Sequence, residues 1–149
     1  MRNFYLIFMI VCFMGGMVLS AKAEEKEPLI IEMLNKRGKD KMLYGQDVAM
    51  IDVGQTITWT PDSKGHNVQF ISVPDGVEKV KSKLSKEFSY TFEQEGVYLY
   101  VCTPHATMGM IGVVVVGESD VNLDEVLGYK FRGKSKKKFK KIVKLLEDA

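Results

Sequence analysis

Cysteine and histidine are nearly absent from this sequence. Of its two cysteines, Cys12 lies in an apolar leader, so the rest of the chain has one thiol, Cys102, and two imidazoles, His66 and His105. One thiol cannot form an internal disulfide, which excludes the usual staple of small exported domains. An excess of charge is missing too. The whole chain has 21 Lys and Arg against 19 Asp and Glu, and removing Arg2 and Lys22 with the leader makes the two counts equal. Nucleic acid is not expected as a partner, because neutralising its phosphates takes a basic surplus. No internal repeat is visible, and the one biased segment is a run of lysines near the C-terminus.

Long hydrophobic runs are confined to the start. Arg2 precedes Phe4 to Ser20, which carry no charge, and Ala21-Lys22-Ala23 then form a small-x-small pattern before Glu24-Glu25. That order reads as a secretory signal peptide over residues 1–23. The alternative is an uncleaved anchor, since the run approaches the ~17–25 residues of a spanning helix. Gly15, Gly16 and the cleavage pattern favour removal, after which no membrane association is expected. Residues 24–149 then form one domain, long enough to bury a core without staples.

That domain reads as all-β. Gln55 to Thr60 alternates, with Ile57 and Trp59 opposite Thr56, Thr58 and Thr60. Phe88, Tyr90 and Phe92 do the same against Ser89, Thr91 and Glu93. Turn clusters at Pro61 to Gly65, Pro74-Asp75-Gly76 and Gln94-Glu95-Gly96 separate the runs. Many short strands at this spacing predict a β-sandwich over residues 24–118. Val97 to Cys102 is apolar on both faces, so it must be covered on both. The predicted cover is a helical extension over residues 119–149. Asn122 and Glu125 read there as a capping box and Gly128 as a stop. Phe139, Ile142, Val143 and Leu146 then fall on one helical face. Lys136, Lys137, Lys140, Lys141 and Lys144 occupy the other, where their simplest role is solubility.

The rare residues converge. His66 sits where a turn enters a strand, and Cys102 ends a strand. Cys102-Thr103-Pro104-His105-Ala106-Thr107-Met108-Gly109-Met110 forms the loop that follows. One loop can therefore present a thiolate, an imidazole and a thioether to a common point, with His66 closing the site from a neighbouring strand. Taken singly, each residue is more often structural: a buried Cys packs, a His after Gly lies in a turn, a loop Met fills space. Their joint placement in an exported all-β chain favours a metal. Two imidazoles, a thiolate and a weak thioether suit copper in both oxidation states. Structural zinc wants four strong ligands, and catalytic zinc an open position with a base beside it. The expectation is one copper ion per chain and no enzyme activity.

Lys64-Gly65-His66-Asn67, Cys102-Thr103-Pro104-His105 and Met108-Gly109-Met110 resemble the pseudoazurins, periplasmic members of the cupredoxins. Met33-Leu34-Asn35-Lys36, Pro74-Asp75-Gly76 and Asn122-Leu123-Asp124 extend the likeness over almost the whole mature chain. The resemblance implies a Greek-key β-sandwich of plastocyanin-like type with a C-terminal helical extension. It implies a type 1 blue-copper site of His66, Cys102, His105 and Met110, with Met108 the competing axial candidate at a shorter spacing. It gives Asn67 the role of fastening the two ligand loops beside the sulfur. It further implies a monomeric periplasmic carrier moving single electrons to a redox enzyme, such as a nitrite or nitrous oxide reductase. Partners would dock transiently on an apolar patch of Met42, Pro104, Ala106 and Met108 around His105. Lysines at 64, 79, 81, 83 and 86 are suited to steering an acidic partner there. Two departures from the family bear on docking: Ala106-Thr107 stands where an aromatic or larger residue is common, and Glu32 where a histidine is often found. The other function classes are a periplasmic copper chaperone or store and a zinc-stabilised binding module.

Overall fold

The computed structural model describes residues 26–117 and 121–147. The signal peptide expected at 1–23 and the boundary expected at 118/119 fall outside the described residues. Among the described residues eight strands follow in order: β1 Leu29–Arg37, β2 Asp40–Tyr44, β3 Val48–Ile51, β4 Thr56–Thr60, β5 Gln69–Ser72, β6 Phe88–Thr91, β7 Gly96–Val101 and β8 Ile111–Val116. After the strands, the described residues form two α-helices, α1 Leu123–Leu127 and α2 Gly133–Glu147. The strands form two four-stranded sheets, β2-β1-β4-β6 and β3-β8-β7-β5. β1 runs parallel to β4 and β3 parallel to β8, while the other pairs are antiparallel. The all-β sandwich with a helical C-terminal extension is the architecture expected from the sequence. Among the described residues no helix is long and apolar enough to cross a membrane.

Period-two alternation makes the core between the sheets. Ile57 and Trp59 of β4, Phe70 of β5 and Tyr98 and Tyr100 of β7 meet there, with Phe92 and Ile31. Cys102 and Met110 belong to the same cluster, so the metal loop grows from the end of the core. The opposite face of β7, Val97, Leu99 and Val101, packs with Ile111 and Val113 under Val126, Phe139 and Ile142 of the helices. The two-sided apolar strand thus has its second cover in the C-terminal extension. Lys138 forms an ion pair with Asp47 that ties α2 to the start of β3.

The capping box at Asn122 and Glu125 does not form. Asn122 makes no side-chain cap. Its Oδ1 accepts the Val97 N–H and its Nδ2 donates to the Val97 carbonyl, both at 2.8 Å. Glu125 accepts instead from the Ser72 hydroxyl at 2.9 Å. The reason lies in the sheet. β5 pairs with β7 only from Leu99 onward, so Val97 has a donor and acceptor facing an absent strand, and a primary amide matches both. Gly128 does end α1, but with φ −70° rather than in the left-handed region.

Gly112 of β8 lies opposite Tyr100. A Cβ there would come within 2.4 Å of the Tyr100 ring, and Tyr100 is fully buried among Tyr44, Trp59 and Phe70. Gly112→Ala is expected to cost about 1–3 kcal/mol through overpacking. Urea unfolding of the two proteins, compared at equal slope, measures it.

Candidate metal centre

The turn ending in Gly65 brings His66 in from the β4–β5 connection. Cys102 follows β7, and a short 3-10 turn, Thr103–His105, turns His105 back toward it. Within that turn the His105 N–H donates to the Cys102 carbonyl at 3.0 Å, and the Cys102 N–H donates to the Met110 carbonyl at 3.0 Å. The loop therefore closes on itself with its first and last candidate ligands side by side.

Three donor atoms converge. His66 Nδ1 and His105 Nδ1 are 3.1 Å apart, and Cys102 Sγ lies 3.7 Å from the first and 3.4 Å from the second. A point equidistant from all three lies roughly 2 Å from each, about the length of a metal–imidazole bond. This is the one cluster of at least three His, Cys, Asp or Glu ligand atoms found among the described residues. His66, Cys102 and Met110 are fully buried and His105 is half-buried. Met108 is 41% exposed whereas Met110 is 0% exposed, so of the two candidate thioethers Met110 is the enclosed one. The donor set of two imidazoles and a thiolate beside a buried thioether fits copper.

Outer contacts fix these side chains. His66 Nε2 lies 2.9 Å from Asn35 Oδ1, an acceptor, so Nε2 carries the proton and the Nδ1 lone pair is left for a metal. Asn67 Oδ1 accepts the Thr103 N–H at 2.8 Å, and its Nδ2 donates to Thr103 Oγ1 at 3.1 Å. That amide joins the loop carrying His66 to the loop that follows Cys102. The Tyr44 hydroxyl donates to the Asn67 carbonyl at 2.6 Å. Ser85 is a second clip: its hydroxyl accepts the Gly65 N–H and its N–H donates to the His66 carbonyl, both at 2.8 Å. The sequence alone does not assign these roles to Asn35, Tyr44 or Ser85. Asn35 gave no signal of its role, because the alternation of Ile31 and Met33 breaks at the buried Leu34 and Asn35 itself is exposed.

The residues expected at the docking face differ in exposure, with Met42 half-buried. Pro104 and Met108 are exposed and Ala106 is half-buried, all on the ligand loop, with Lys64 and Lys79 exposed as well. Ala106 packs on the helix-side core, while Met42, at φ +52°, packs against the core between the sheets.

Burial lowers the His66 pKa, with the His105 charge adding to the effect. Burial raises the Cys102 thiol, offset in part by backbone hydrogen bonds from Asn67 and His105. The metal-free site near neutrality is therefore a thiol with a neutral His66. Because a metal takes the thiolate, binding is expected to release the Cys102 proton. Apparent affinity then rises about tenfold per pH unit below the thiol pKa. Proton release on metal addition to weakly buffered protein, followed against pH, checks this.

The sequence pattern of copper binding proteins of the plastocyanin/azurin family matches residues 31–117. The pseudoazurin of Paracoccus pantotrophus is 38% identical over 96 residues, 63% of this chain and 66% of that protein. The match thus spans just under two thirds of that relative's length. The pseudoazurin of Methylorubrum extorquens is 37% identical over 108 residues, 71% of each chain. The crystal structure of pseudoazurin from Methylobacterium extorquens AM1 superimposes with a TM-score of 0.77 at 30% identity, over 80% of this chain and 99% of that one.

Proposed function

The chain belongs to the plastocyanin/azurin family of copper-binding proteins, and from that premise we propose that it is an exported carrier of single electrons. One copper ion would be held by His66, Cys102, His105 and Met110. Convergence of two Nδ1 atoms and one Sγ within 3.7 Å of one another carries this reading. Copper supplies the one-electron couple; the chain supplies a cage that resists change. Asn35 holds the His66 ring, Asn67 and Ser85 hold the loops, and burial keeps water from His66, Cys102 and Met110. The half-buried His105, with exposed Pro104 and Met108 on its own loop, offers the edge through which a partner exchanges electrons. The protein is a carrier rather than an enzyme.

The leader at residues 1–23 supports a periplasmic destination, with the mature domain acting as a monomer between redox proteins. Acceptors of the nitrite or nitrous oxide reductase kind fit the resemblance. Transient docking needs only a small apolar contact, and the exposed Lys64, Lys79, Lys81, Lys83 and Lys86 would steer an acidic surface toward it. Replacing Lys64 and Lys79 by Glu is expected to slow transfer to an acidic acceptor at low salt and flatten its dependence on ionic strength. An unchanged salt profile in stopped-flow kinetics would contradict steering.

The direct test is reconstitution. Mature protein with Cu(II) is expected to develop an intense thiolate-to-copper absorption and to cycle reversibly by one electron. A colourless or redox-silent product would overturn the carrier and point to a copper store or a zinc module.

A further inference from the structure

The first turn of α2 is joined to the metal-ligand loop by contacts that the ligand chemistry alone does not require. Ser135 is fully buried. Its hydroxyl accepts the Gly109 N–H at 3.0 Å and donates to the Ala106 carbonyl. The Lys134 N–H donates to the Thr107 carbonyl at 2.9 Å. Three backbone groups of the segment between His105 and Met110 thus find their partners on one helical turn. Gly133, which opens that turn at φ +62°, lies so close that a Cβ there would fall 2.4 Å from the Thr107 oxygen.

A loop of this length, held only by its ends, is among the first parts of a domain to open. Here it is braced from outside. Ser135 spans the turn from Ala106 to Gly109, whose neighbours on either side are His105 and Met110. The rest of α2 is immobilised by Phe139 and Ile142 in the core and by Lys138 on Asp47, so the brace has a fixed base.

We propose that Ser135, with the Lys134 N–H and the close approach at Gly133, is a positioning device that sets the placement of His105 relative to Met110. The C-terminal helix thereby limits how far those two side chains shift when the copper changes charge. Ligands mounted on a rigid support move less between oxidation states, and less movement means faster electron exchange. The inference rests on the ligand assignment proposed above.

The test uses full-length mature protein. In the wild type, copper-free, the Gly109 amide is expected to be protected from hydrogen exchange; an unprotected amide would overturn the brace outright. In Ser135→Ala that amide is expected to exchange at least tenfold faster. Electron self-exchange, read from NMR line widths in mixtures of cupric and cuprous protein, is expected to fall by about tenfold, the lower end of what loss of an outer contact does at a metal site. Ser135→Thr, which keeps the hydroxyl, should recover most of the rate. A Ser135→Ala protein that melts earlier but keeps its self-exchange rate and visible spectrum would make Ser135 merely structural and overturn the proposal. Should that variant fail to fold, Gly133→Ala forces the loop away from the helix with Ser135 intact, and an unaltered rate there overturns it equally. Failure of the ligand assignment looks different, because the wild-type protein itself would then lack the thiolate-to-copper band.

Discussion

Cys102→Ser is expected to abolish the thiolate-to-copper band and one-electron cycling while leaving the fold in place. The thiol is the one donor of the cluster that becomes an anion on binding, and its sulfur supplies the soft character that stabilises cuprous ion. A serine hydroxyl keeps its proton near neutrality and offers only a weak neutral oxygen. Copper affinity should therefore fall by more than the about 10–100-fold that loss of an outer hydrogen bond costs. The fold is expected to survive because serine is smaller than cysteine by only a fraction of a methylene. Copper-free Cys102→Ser should differ from the copper-free wild type by about 1–2 kcal/mol. Visible absorption, cyclic voltammetry and urea unfolding on the same preparation separate the two effects. A variant that stays blue would remove Cys102 from the site and the electron carrier with it.

That separation mirrors what the sequence made legible. His66, Cys102 and His105 could be picked out because they are the only imidazoles and thiol beyond the leader, and rarity is visible without coordinates. The sandwich was legible from alternation in Gln55 to Thr60 and Phe88 to Phe92. The helical cover was legible from a strand, Val97 to Val101, that had no polar face to give to water. What escaped was the pairing of polar groups far apart in the chain. Asn122 reads locally as a helix cap, yet the unpaired edge at Val97 outbids the helix for the same amide. That edge exists only because β5 joins β7 too late to cover it. Asn35 on His66, and Ser135 on Ala106 and Gly109, are of the same kind. Each joins segments between 26 and 31 residues apart, a distance at which periodicity and spacing carry no information. Choice of Met110 over Met108 came from resemblance, and burial now supports the same choice by an independent route.

The helical cover also sets where the domain is most vulnerable. Phe139 is 5% exposed, lies edge-on to Phe131 at 4.9 Å, and belongs to the cluster of Val97, Leu99, Val101, Ile111 and Val113. Phe139→Ala is expected to destabilise the protein by about 3–5 kcal/mol, a large part of the roughly 5–15 kcal/mol that holds a domain of this size together. The cost should be high because the ring roofs a sheet face that cannot collapse: β7 and β8 are locked on their other side by Tyr98, Tyr100 and Val114. In urea the midpoint should fall with the slope unchanged, and melting should come on the order of 10–15 °C earlier. Lys141→Ala, on the exposed face of the same helix, is expected to stay within about 0.5 kcal/mol of the wild type. Equal unfolding midpoints for the two variants would mean that α2 does not cover the sheet in solution. The brace on the ligand loop would then lose its base as well.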